Sequence, residues 1–234
     1  MIVELMGQPA SGKTFLINAL SENYSFQNVF LIDSFYNSKS SLKKAIFIFL
    51  HLRFLNINYF RCRSIVKKAL ADRKHDMKKF FLRQFRLDYI LVNYSREISS
   101  KGRDCVFSEN IFNLFSYIFF YKKTDEKTKL FSKLIAIFPK TLLHRNCLIQ
   151  IKVNNEKNLA FKCARVGKTQ QDFVEETDFY NDYNYVDEAQ SELLIQLKQY
   201  IDKIVCFENK YTTESKISFL SIFCDLQNGN DMVG

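Results

Sequence analysis

"MGQPASGKTFL", Met6 to Leu16, decides how the rest of the chain is read. It fits the pattern G-x-x-x-x-G-K-[ST], with Gly7, Gly12, Lys13 and Thr14 at the fixed positions. Glycines let a backbone curl until successive N–H groups point inward, which makes a concavity for phosphate oxygens. The apolar run "MIVELM" precedes the loop and "KTFLINAL", of helical character, follows it. Strand, loop and helix is the context that gives the pattern meaning. The helix then adds its positive dipole end to the loop amides. Gly7, Pro9, Ala10, Ser11, Gly12, Lys13 and Thr14 are therefore the expected nucleotide-binding residues. Lys13 would reach the β- and γ-phosphates, and the Thr14 hydroxyl would hold Mg²⁺.

Working outward, "NVFLID" (Asn28–Asp33) reads as a second buried strand ending in an acid. Few breakers interrupt Ser38 to Ser100, where helical spacing recurs. "DCVFSE" (Asp104–Glu109) reads as a third strand, also ending in an acid. Helices follow through Leu143, broken near Pro139. "CLIQIKV" (Cys147–Val153) is a fourth strand, β-branched and alternating. "NEKNLAFKCARVGK" begins as a helix and runs into a basic loop. Asp187–Lys203 reads as an amphipathic helix, "IVCFE" as a fifth strand, and "TTESKISFLSIF" as a final helix with Thr212 or Thr213 as N-cap. Strands alternating with helices imply a parallel sheet covered on both faces, a three-layer α/β fold. With no internal repeat and no linker, residues 1–234 read as one domain. It carries a basic helical subdomain over about residues 38–103.

Composition sets limits. The chain has 234 residues, 24 Phe, 12 Tyr, six Gly and two Pro, which favours a dense, mostly helical core over disorder. Six scattered cysteines without a C-x-x-C pair do not suggest a disulfide framework or a zinc site. No leader segment is evident, so a cytoplasmic location is expected. The apolar stretches Ala45–Leu52 and Ile111–Tyr121 fall short of the roughly 18 to 20 residues a spanning helix needs. Both read as core helices rather than membrane-surface helices. The net charge of +9 is concentrated: Lys43 to Arg103 holds 16 Lys or Arg against four Asp or Glu. Such a lobe suits an anionic partner.

Three further features converge on the glycine loop. Asp33 and Glu109 end adjacent strands where an open α/β sheet meets its ligand. A carboxylate there can accept a proton from an acceptor hydroxyl or orient Mg²⁺, so Asp33 and Glu109 are candidates for catalysis, metal and substrate contact. The segment Lys162–Phe173 carries Lys162, Arg165 and Lys168 and reads as a mobile lid. Arg165 is the expected clamp on the transferring phosphate, because guanidinium binds phosphate oxygens bidentately.

These residues resemble the P-loop nucleoside and nucleotide kinases. "ASGKT" followed by "DSFY" (Asp33–Tyr36) looks like uridine kinases, in which the Asp is the catalytic acid and a nearby aromatic helps to hold the base; Tyr36 takes that place here. "GQPASGKT" with "NVFLID" is similar to zeta-toxin-type kinases, which phosphorylate a nucleotide sugar. The broad order resembles thymidylate kinases: "FFLRQFRLDYI" would place Arg86, or Arg83, near a substrate phosphate, and "DCVFSEN" would place Glu109 at the family's acid. Asn110 stands where that family has Arg, and Ser34 and Phe35 replace its second acid after Asp33. The resemblance implies the strand order 2-3-1-4-5 and ATP- and Mg²⁺-dependent phosphoryl transfer to a small, anionic acceptor such as a nucleoside, nucleotide or nucleotide sugar. Three alternatives are a kinase of a sugar or lipid-linked glycan, a kinase of a nucleic-acid end, and a non-catalytic NTP-binding regulator. Nucleic acid is the less favoured partner, and the aromatic content leaves material for a homodimer interface.

Overall fold

A computed structural model describes residues 1–8, 10–23, 29–107, 111–119, 124–137, 146–167, 179–198, 201 and 203–228. Side chains at 33, 34, 113, 117, 119, 124, 127, 146, 155, 165, 166 and 179–187 lie outside that description. Five parallel strands form one sheet in the order β2-β3-β1-β4-β5, as expected from the resemblance. They are β1 (Ile2–Met6), β2 (Phe30–Leu31), β3 (Cys105–Phe107), β4 (Asn146–Lys152) and β5 (Lys203–Glu208). The helices are α1 (Lys13–Glu22), α2 (Ile32–Asn37), α3 (Ser41–Leu50), α4 (Ile57–Ala69), α5 (His75–Ser100), α6 (Ile111–Phe119), α7 (Thr124–Ile137), α8 (Asn155–Val166), α9 (Phe179–Leu197) and α10 (Thr213–Gln227). A 3₁₀ turn, Leu52–Phe54, joins α3 to α4.

The period-two alternation of β1 assigns its side chains to two cores. Val3 and Leu5 face α1 and α10, packing with Leu16, Leu20, Phe219 and Phe223. Ile2 and Met6 face the opposite way, onto a larger aromatic core with Phe85, Tyr89, Phe115 and Phe131 from α5, α6 and α7. Glu4, between them on that second face, is 1 % exposed. Strand β1 pairs β3 at Val3↔Val106 and β4 at Leu5↔Ile149, so every residue of it is buried on both faces.

Three sequence readings are corrected. Strand β2 stops at Leu31 and α2 takes over at Ile32, so Asp33 lies in the first turn of a helix, not at a strand end. Ile32 and Tyr36, four apart, both enter the aromatic core from this helix. The helix expected at Asp187–Lys203 instead begins at Phe179 and ends at Leu197, because Lys203 already pairs with Cys147 in the sheet. The stretch Ala45–Leu52 is helical but is no core helix: only Phe47 of α3 is buried. Ile111–Phe119, by contrast, buries Ile111, Phe112, Leu114, Phe115 and Ile118. Thr212 caps α10 as read, its hydroxyl accepting from the Ser215 N–H at 3.2 Å. No helix among the described residues is long and apolar enough to cross a membrane.

All six cysteines are free thiols, and four of them (Cys62, Cys105, Cys147, Cys163) are buried. Burial pushes the thiol of Cys62 up to about 12 and that of Cys105 up to about 11. The thiolate is the reactive form, so these groups are protected both by access and by ionisation. Native protein titrated with a chromogenic disulfide at pH 8 should show rapid reaction only at the exposed Cys206 and the half-exposed Cys224. The remaining thiols should react on unfolding in denaturant. Fast labelling of Cys62 in the native state would contradict the packing of α4 against α5.

Candidate functional site

The chain leaves the buried strand β1 at Gly7 and turns back before α1 begins at Lys13. Glycine is required at two points. A Cβ on Gly7 would lie 2.7 Å from both the Ile151 carbonyl oxygen and the Ser11 hydroxyl. Gly12 adopts φ +84°, and a Cβ there would collide with the Asn209 amide and come within 2.7 Å of the Tyr211 ring. Ala10 also takes a positive φ, 66°, and the Ser11 N–H closes the turn on the Gln8 carbonyl at 3.1 Å. Gly12 is the N-cap of α1, with no side chain to cap the helix and no acid in the first turn. The N-terminal amides and dipole of α1 thus meet the loop without a built-in carboxylate. The Lys13 ammonium donates to the carbonyls of Gly7 (2.8 Å) and Gln8 (3.0 Å), which lays it across the loop. Thr14, one residue on, is exposed.

A second segment, which the sequence reading passed over, holds this loop from outside. Asn209, just beyond β5, is 1 % exposed and donates from its side-chain amide to the Ser11 carbonyl at 3.0 Å. Its own N–H bonds the Lys152 carbonyl at the end of β4 (2.8 Å), and its side-chain oxygen accepts from the Tyr211 N–H (2.9 Å). The Tyr211 hydroxyl donates to the Ala10 carbonyl. The Tyr211 ring lies 4.3 Å from Phe161 of α8 and 5.7 Å from Phe15 of α1, measured between centroids. The Lys157 ammonium of α8 reaches the Lys210 carbonyl at 3.2 Å. Loop, α8 and the β5–α10 connection are therefore one hydrogen-bonded unit. The signal for it in the sequence was weak: a short Asn-Lys-Tyr after the last strand, in the connection that a parallel sheet brings beside the first.

On the aromatic face, α2, α4 and α5 bring a second group together. Tyr36 is 9 % exposed, and burial raises its hydroxyl pKa while the guanidinium groups of Arg83 and Arg86 pull it down. Arg83 and Arg86 are three apart on α5 and share a face. Burial also raises Tyr59 on α4, and Arg63 and Arg86 oppose the rise, Arg63 by a hydrogen bond as well as by charge. Arg86 thus acts on both tyrosines. Arg63 was not foreseen, although Tyr59 and Arg63 stand at i and i+4 on one helix. The Lys44 ammonium of α3 lies 5.3 Å from the Tyr36 ring centroid. The hydroxyls of Tyr36 and Tyr59 thus share the charge of Arg86, with Arg83 acting on the first and Arg63 on the second.

Of the other expected site residues, Asp33 is placed by its backbone in α2, with its side chain outside the described structure. Pro9 and Glu109 lie outside the described residues. Arg165 belongs by backbone to the last turn of α8, but its side chain is not described. Of the lid expected at 162–173, residues 162–167 form the end of α8, closed by Gly167 at φ 67°; Lys168 and those beyond it lie outside the described residues.

The strand order 2-3-1-4-5, all parallel, with a glycine loop between β1 and α1, defines the P-loop kinase fold. No family profile matches the sequence, and no curated protein matches it. Solved structures do resemble the chain. Deoxyadenosine kinase from M. mycoides with bound dCTP is 10 % identical, with 96 % of this chain and 99 % of that one covered and a TM-score of 0.48. Thymidylate kinase from Ehrlichia chaffeensis is 12 % identical over 96 % and 98 %, with a TM-score of 0.49. TT1252 from Thermus thermophilus is 12 % identical over 99 % and 98 %, with a TM-score of 0.46. These are distant likenesses, and the fold assignment rests on the strand order and the glycine loop.

Two alanine substitutions separate backbone conformation from close packing. Gly102, at φ +83°, has nothing within 4 Å of the point where a Cβ would stand, so Gly102→Ala should cost only the left-handed penalty of about 1–2 kcal/mol. Gly12→Ala should cost clearly more in urea unfolding, because Asn209 and Tyr211 must move as well. Equal losses would mean that the β5–α10 connection does not hold the loop.

Proposed function

We propose that this chain is an ATP- and Mg²⁺-dependent small-molecule kinase acting on an acceptor of the nucleoside, nucleotide or nucleotide-sugar class, the anionic members being favoured. The observation that carries the reading is the glycine loop itself, seated on the central strand, closed to any Cβ at Gly7 and Gly12, and crossed by the Lys13 ammonium. A turn of backbone amides at a helix N-terminus, without an acid in the first turn, fits a polyphosphate. Thr14 offers its hydroxyl beside this cradle and is the described residue suited to Mg²⁺, with Asp33 and Glu109 as proposed partners. The metal supplies charge neutralisation on the phosphates.

In this reading Gly7 to Thr14 grip the donor, and Lys13 turns from the loop carbonyls to the phosphate oxygens. Asp33 takes the proton of the acceptor hydroxyl as that oxygen bonds the γ-phosphorus and the bond to the ADP oxygen breaks. Arg165 closes over the transferring group, and Glu109 supports metal or substrate. Catalysis is then positioning and electrostatic stabilisation. The cations around Tyr36 and Tyr59 support an anionic acceptor, with Arg83 and Arg86 as its proposed contacts and Arg63 beside them.

A phosphate-transfer screen with labelled ATP against nucleosides, nucleotides and nucleotide sugars tests the reading directly. Lys13→Ala should abolish turnover, and Asp33→Asn should lower kcat by roughly 10²-fold or more while ATP affinity holds. Arg86→Ala should raise the KM of the acceptor by roughly tenfold, with the ATP KM unchanged. Nucleotide binding without transfer to any of these acceptors would favour a regulator instead.

A further inference from the structure

The outward face of α3 is apolar, and no described residue covers it. The helix buries Phe47 and turns Lys44 and Ile48 inward, while Leu42 (72 % exposed), Ile46 (49 %), Phe49 (71 %) and Leu50 (63 %) share the opposite side. At 100° per residue these four fall within one sector of the helix, so they form a continuous stripe. Leu52 of the 3₁₀ turn and Ile57 and Phe60 of α4, the next helix, are exposed as well. From Ser38 to Leu70 the chain carries eight Lys or Arg residues and no Asp or Glu. Lys43, Arg61, Lys67 and Lys68 are exposed along the same two helices, while Arg53, in the turn between them, pairs with Glu97 of α5 at 2.6 Å.

We propose that the α3–α4 face docks onto an anionic phospholipid surface, with Leu42, Ile46, Phe49 and Leu50 entering the interface and the surrounding cations meeting the headgroups. Amphipathic elements bind membranes by the combination present here, an apolar stripe for the acyl boundary and a cationic rim for acidic lipids. Charge decides against the other occupants. A second copy docking through the same face would bring the exposed Lys43, Arg61, Lys67 and Lys68 of two copies together, and like charges at close range oppose pairing. Nucleic acid would satisfy the cations and could stack on Phe49 or Phe60, but it would leave the aliphatic majority of the α3 stripe, Leu42, Ile46 and Leu50, without a matching partner. The ten-residue helix is one short signal, so binding should be reversible and sensitive to salt. The proposal is independent of the phosphoryl-transfer reading, since none of its residues belongs to the proposed catalytic machinery.

Vesicle flotation tests it, using the full chain with phosphatidylcholine vesicles and with vesicles containing roughly 30 % phosphatidylserine. The protein should float with the anionic vesicles and much less with the neutral ones, and binding should fall as salt rises. Leu42→Ser with Phe49→Ser should weaken binding by roughly tenfold or more, and so should Lys43→Glu with Arg61→Glu and Lys67→Glu. Both variants should keep the wild-type far-UV spectrum and urea midpoint, because these side chains point away from the core. Three results would each overturn the proposal: no binding to anionic vesicles at low salt, equal binding by wild type and Leu42→Ser/Phe49→Ser, or a wild-type dimer that this pair of substitutions dissociates.

Discussion

Strand β1 has no solvent side, and most of the molecule follows from that. Flanked by β3 and β4 and covered on both faces, it must divide its side chains between two cores. Its carboxyl end is then the one place where the chain can leave the sheet centre, and it leaves through Gly7. A side chain there would meet the Ile151 carbonyl of β4. The tightness of the loop is thus a consequence of strand packing as much as of any ligand. A loop so confined presents main-chain amides because there is little room for anything else.

The two faces of the sheet divide the labour. The α1–α10 face is small and aliphatic-aromatic, and it anchors the loop helix through Leu16 and Leu20. The other face carries the large aromatic core and, at its margin, the tyrosines and arginines of α2, α4 and α5. The dense run of positive charge lies on this second side, so the electrostatic field of the protein is directional. Small anions and acidic surfaces would be drawn toward the same half of the molecule.

How much was legible in the sequence depended on how local each determinant was. The glycine loop, β4, β5 and the Thr212 cap are each specified by a few consecutive residues, and all appear as read. Strand β2 is shorter than read because "NVFLID" is one short apolar run, which fits a buried strand and the start of a buried helix alike, and Ile32 packs into the aromatic core from α2. The stretch Ala45–Leu52 was misread because its apolar residues fall on more than one side of the helix, which does not reveal the side that meets the core. Asn209 and Tyr211 were invisible for a different reason: their partners lie about two hundred positions away, and no local pattern encodes such a contact. The acids expected to face the loop illustrate the same point, since Asp33 moved from a strand end to a helix when its neighbours packed.

The hold of Asn209 and Tyr211 on the loop also imposes an order in time. Ser11 and Asn209 are separated by 198 positions, so a ribosome adding roughly 5–20 residues per second makes the loop about 10–40 s before its brace exists. For roughly the first seven-tenths of that interval β4 is also incomplete or missing, and β1 lacks a partner on that edge. The finished glycine loop is therefore a late product of an early sequence. A product that ends before Asn209 therefore carries the whole motif without the bonds that brace it.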